Sequence, residues 1–127
     1  MRMVVISLSI LLILLGLWGW FYYTSVKPVT QYYWDNLSNL SETMERGDWE
    51  RAKENINEYL NRWIEIRKLW IYFINQKDID NIDSSIRQLY MCVLNEDKIL
   101  SQVEIQHLIN LFNVINENEC LSLENIF

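Results

Sequence analysis

The sequence is short of the residues that build turns: among its 127 positions stand three glycines (Gly16, Gly19, Gly47) and one proline (Pro28). Sandwiches and barrels need a turn signal every few residues, so this scarcity argues against them and favours helices. Histidine is single (His107), and the cysteines are two, Cys92 and Cys120. A zinc site draws on several such ligands at set spacings, so no metal is expected. Glycine-rich phosphate loops, nucleophile elbows and haem-attachment motifs are missing, which leaves no catalytic residue and no cofactor to assign. Basic charge is also sparse. The net charge is −6, and Arg2 is the one charged side chain before Lys27, so the remainder holds ten Lys/Arg against seventeen Asp/Glu. An acidic body repels phosphate backbones, which argues against nucleic acid as a partner.

What the chain does have is one long apolar run. Residues 3–23, MVVISLSILLILLGLWGWFYY, carry no charge. At about 1.5 Å per residue they reach about 31 Å as a helix, against a bilayer core of about 30 Å. Ser7 and Ser9 are tolerable, because a helix lets a hydroxyl bond a carbonyl one turn back. Trp18, Trp20, Phe21, Tyr22 and Tyr23 crowd one end, as residues of a membrane–water interface do. Bulky residues follow the core where a cleavable signal would need small ones, so residues 1–25 read as an uncleaved signal anchor. Arg2 and the terminal amine outweigh Lys27, which places the rest of the chain outside the cytoplasm by the positive-inside rule.

Residues 26–127 read as an acidic all-α domain. After Pro28, the apolar residues Tyr33, Leu37, Leu40 and Met44 step four, three and four, one face of a helix that Gly47 ends and Asp48 restarts as an N-cap. Trp49, Ala52, Ile56, Tyr59, Trp63, Ile66, Trp70 and Phe73 then form a heptad seam expected to end near residues 75–77. A third helix carries Ile79, Ile82, Ile86, Leu89 and Val93. Asp97 caps a fourth, carried by Leu100, Val103, Leu108, Leu111, Phe112 and Ile115. The expected plan is a small bundle of two αα-hairpins, 29–76 and 78–116, with a short docked tail at 117–127. An offset of 49 residues superposes the two: Tyr33, Leu37, Leu40, Met44 and Asp48 fall on Ile82, Ile86, Leu89, Val93 and Asp97. Duplication explains this, and so does the shared period of any two amphipathic hairpins. Cys92 and Cys120 could pair in an oxidising compartment, although a buried free thiol suits Cys92 inside its helix.

Three stretches resemble a known family. GDWERAKENINEYLNRWIEIRKLW from Gly47 to Trp70, DIDNIDSSIRQL from Asp78 to Leu89, and LSLENIF from Leu121 to Phe127 are similar to the bacterial single-pass proteins grouped as domain of unknown function 4363. Where that family reads Ala-rich after a Lys-Asp-Lys turn, this chain has EDKILSQVEIQHL. The resemblance implies a low-GC, Gram-positive-type origin and an N-terminal anchor. It implies no activity.

The function expected on these grounds is a membrane-anchored interaction module rather than an enzyme. It would be held in the cell membrane through residues 3–23, as an accessory subunit with a membrane-protein partner. The Trp-rich helix seam (Trp49, Ile56, Tyr59, Trp63, Ile66, Trp70) is expected to be core, while the exposed edges of the same long helix could pair two protomers in self-association. The alternative is a tethered ligand-sensing domain with a pocket near the tryptophans.

Overall fold

A computed structural model describes the backbone of residues 1–126 and the side chains of residues 1–118. Every regular element among them is helical: α1 (Arg2–Phe21), α2 (Lys27–Glu45), α3 (Trp49–Trp70), α4 (Gln76–Leu94) and α5 (Lys98–Ile126). A π turn, Tyr22–Val26, joins α1 to α2, so the chain runs as one continuous helix from Arg2 to Glu45. Pro28 explains the widened turn. It has no N–H to donate, and its ring crowds the carbonyl four residues earlier. The helix absorbs this by letting Lys27 N–H bond the carbonyl of Tyr22, five residues back, instead of breaking.

The turn between α2 and α3 forms as its residues dictate. Gly47 takes φ 76°, its N–H bonds the carbonyl of Met44, and Asp48 N–H bonds the carbonyl of Thr43. The Asp48 carboxylate then accepts from Arg51 N–H at the start of α3. The turn between α4 and α5 repeats this pattern. Glu96 N–H bonds Val93, Asp97 N–H bonds Cys92, and Asp97 accepts from Leu100 N–H at 3.0 Å. Glu96 stands where the first turn has glycine and is held at φ 56°.

Helices α2 and α4 each pack against both α3 and α5, so the four close into a ring. The diagonal from α3 to α5 is spanned by large rings. Trp63 and Trp70 fill it, meeting the Phe112 ring at centroid distances of 6.0 and 6.4 Å, while Tyr33 of α2 stacks on the same ring at 4.5 Å. Towards the other end the core holds fully buried Ala52 and Ser101, which the 49-residue offset makes equivalent.

Some expectations need correction. α3 stops at Trp70, five residues before its anticipated end, and Phe73 lies in the following turn. Leu100 and Val103 are exposed. The inner face of α5 begins instead with Ser101, Glu104 and Ile105, because the register is set by the Asp97 turn and polar side chains occupy its first core positions. Backbone helix persists to Ile126 where a separate tail was expected from residue 117; the docking of that tail and any pairing of Cys120 fall outside the described side chains.

Candidate functional site

α1 is long and apolar enough to cross a membrane, and almost none of it is buried. The proposed interface aromatics divide at its end. Trp20 and Tyr23 are exposed and Trp18 is half-buried, but Phe21 and Tyr22 turn into the core. Phe21 stacks on Phe73 at 4.3 Å between centroids, and Tyr22 Oη donates to Asn116 on α5 at 3.3 Å. One turn further on, Trp70 Nε1 donates to Ser25 Oγ at 2.8 Å. Helical periodicity could not assign Phe21 and Tyr22 to the core, since the whole run around them is apolar.

The seam residues of α3 lie as a core stripe does. Ile56, Tyr59, Trp63 and Trp70 are buried, while Trp49 and Ile66 are half-buried and pack against the same cluster. The tryptophans also hold polar partners. Trp63 Nε1 donates to Asp83 Oδ1 at 3.2 Å, and Asp83 Oδ2 accepts from Arg87 Nε at 3.1 Å. Tyr33 Oη donates to the carbonyl of Tyr59 at 2.8 Å, which ties α2 to α3 inside the core. Burial pushes the Tyr33 phenol far above its ordinary range and that of Tyr59 up to about 12. Desolvation also raises Tyr32, although Arg62 over its ring opposes the shift. Cys92 is a free, half-buried thiol pushed up by burial, and Asp97 and Glu104 add to the shift.

One group of polar side chains converges between α4 and α5. Ser85 Oγ donates to Glu104 Oε1 at 2.6 Å, and His107 Nδ1 lies 3.1 Å from that same oxygen and 3.4 Å from the hydroxyl. Ser85 and Glu104 are buried. A hydrolytic relay needs the serine proton directed to one ring nitrogen and the carboxylate on the other. Here the serine is committed to the carboxylate, and both crowd a single nitrogen. The arrangement joins two helices through a satisfied buried carboxylate. Neither composition nor spacing reveals it, because packing alone brings residue 85 to residues 104 and 107. Among the described residues no three His, Cys, Asp or Glu side chains could hold a metal ion.

The equivalent place in the first half of the chain differs. The 49-residue offset carries Ser85, Glu104 and His107 onto Asn36, Asn55 and Glu58. These three line an open groove of about 490 Å³ between α2 and α3, together with Asn39, Glu42, Thr43, Arg46, Arg51 and Tyr59. The region beside the buried tryptophans, where a pocket was expected, is occupied by Phe112 and Tyr33.

A family model described as a domain of unknown function, DUF4363, matches residues 20–126. Among curated proteins and among solved structures no chain matches.

Proposed function

We propose that this chain, which belongs to the DUF4363 family, is a single-pass, membrane-anchored helical interaction module serving as an accessory subunit of a bacterial membrane complex. The junction carries this reading: an apolar helix that is almost wholly unburied runs without a break into an acidic helical body. An exposed apolar surface of that size in water is costly, and a bilayer would cover it. A tether of this kind confines the body to two dimensions and raises its effective concentration near membrane partners. With Arg2 at one end, the positive-inside rule puts the body outside the cytoplasm. We read α2–α3 and α4–α5 as two αα-hairpins of one design, on the strength of the paired turns at Gly47–Asp48 and Glu96–Asp97. The test is crosslinking of a tagged copy in its native membrane, followed by purification in mild detergent. Reproducible recovery of an integral-membrane partner supports the module; recovery of the chain alone overturns it.

The groove between α2 and α3 favours a second reading, a tethered domain that senses a small polar ligand. In the other half of the chain the corresponding positions are sealed by hydrogen bonds; here they line an open groove together with Arg46 and Arg51. Screening small polar metabolites for a rise in melting temperature tests it. A rise in the native chain that is lost in Asn55→Leu supports sensing, and no response to any metabolite removes it.

A further inference from the structure

We propose that the turn between α3 and α4 is a second membrane contact, an apolar tip that rests in the interface of the bilayer crossed by α1. The inference rests on the anchor reading above. Helix α3 runs antiparallel to α2: Tyr59 meets Tyr33, Trp70 meets Ser25, and the turn beyond Trp70 reaches Phe21 through Phe73. The tip therefore lies level with Phe21, two residues inside the end of the uncharged run. A bilayer that takes up the run meets the tip as well.

The tip is built for that place. Ile71, Tyr72 and Phe73 are consecutive and exposed, Tyr72 at 78% of its surface, with Leu69 exposed just before them. A contiguous apolar and aromatic surface is unusual on a water-soluble body. Tyr72 and Phe73, at the level set by Phe21 and so near that of Trp20 and Tyr23, match the aromatic belt of an interface. Its depth is bounded by α5, which arrives at the same end. Asn116 bonds Tyr22, and the next residue, Glu117, is exposed and charged. A carboxylate at that level belongs among head groups, so the tip sits in the interfacial layer, roughly 5–8 Å thick, and not in hydrocarbon. The occupant is lipid and not a second copy, because the tip is fixed in register with the anchor of its own chain.

Spin labels on the full-length chain in phosphatidylcholine vesicles test this. Single cysteines replace Ile10, Tyr72 or Ile99 in a Cys92→Ser, Cys120→Ser background. All three are exposed positions, so folding is undisturbed. Accessibility to oxygen and to a water-soluble nickel chelate reports depth. The expected result is hydrocarbon depth at 10, interfacial depth at 72 with nickel accessibility reduced at least threefold relative to 99, and full aqueous exposure at 99. Label 10 in hydrocarbon with label 72 as accessible as label 99 overturns the tip while leaving the anchor. Label 10 in water overturns both. Protection of label 72 accompanied by spin–spin broadening that vanishes on dilution with unlabelled chain overturns lipid in favour of a second copy.

Discussion

Replacing Glu96 by glycine should stabilise the protein although it removes a side chain and an ion pair. Glu96 sits at φ 56°, the left-handed conformation that costs a residue with a Cβ about 1–2 kcal/mol. Glycine removes that cost but adds about 0.5–1 kcal/mol of unfolded-chain entropy. The pair from Lys53 to Glu96 is 3.8 Å long between two solvated side chains and contributes at most a few tenths of a kcal/mol. The balance is a gain of about 0.5 kcal/mol, or roughly 2–4 °C in melting temperature for a domain of this size. The reverse change is Gly47→Ala at the matching turn, where φ is 76° and nothing lies within 4 Å of the new Cβ. It meets no clash, only backbone strain of about 1–2 kcal/mol, which the about 0.5–1 kcal/mol of unfolded-chain entropy removed with glycine partly offsets, so it should cost about 0.5–1 kcal/mol. Both are read from thermal unfolding by circular dichroism of the full chain in mild detergent. Destabilisation by Glu96→Gly, or neutrality of Gly47→Ala, would refute the equivalence of the two turns.

Truncating the hub of the diagonal, Phe112→Ala, should cost about 3–5 kcal/mol and unfold the helical body at low urea, because Tyr33, Trp63 and Trp70 all lose their shared neighbour. Ser25→Ala should cost about 1–3 kcal/mol, since Trp70 is wholly buried and its indole N–H would lose its partner; an unchanged urea midpoint would contradict this. The contribution of the buried phenols to stability should be complete below about pH 9 and fall between about pH 10 and 12. Tyr33 and Tyr59 have folded values raised above the unfolded one near 10, that of Tyr59 to about 12. The fold therefore favours the neutral phenols, and their contribution is complete below the unfolded value and lost as the pH rises through the folded ones. Urea midpoints across that range, compared with Tyr33→Phe, which should flatten the fall, check the assignment.

Much of the helical body follows from its periodicity. The residues from Tyr33 to Met44 and from Ile79 to Val93 step by three and four and lie in the core. Gly47, Asp48 and Asp97 act through local backbone chemistry and behave as their types require. Periodicity fails where polarity and burial part company. Ser101 and Glu104 occupy core positions on α5, so a pattern built on apolar residues slides to Leu100 and Val103, which face water. It fails again where everything is apolar, since Phe21 and Tyr22 cannot be told from the lipid-like run they close. The π turn leaves no trace beyond Pro28. The polar cluster and the groove depend on which helices become neighbours, and that is a property of packing.

The unbroken helix from Arg2 to Glu45 makes the molecule a stiff lever. No flexible linker separates the run that would lie in lipid from the body, and Trp70 and Phe73 brace the joint between them. From the π turn to Gly47 is about 25 residues, or about 37 Å at 1.5 Å each. Transmembrane helices change tilt when a bilayer thins or thickens. For a rigid arm of that length, a change of about 10° would swing the Gly47 turn sideways by about 6 Å. A partner seated there would experience bilayer thickness as displacement, with no change in the fold of the chain that transmits it.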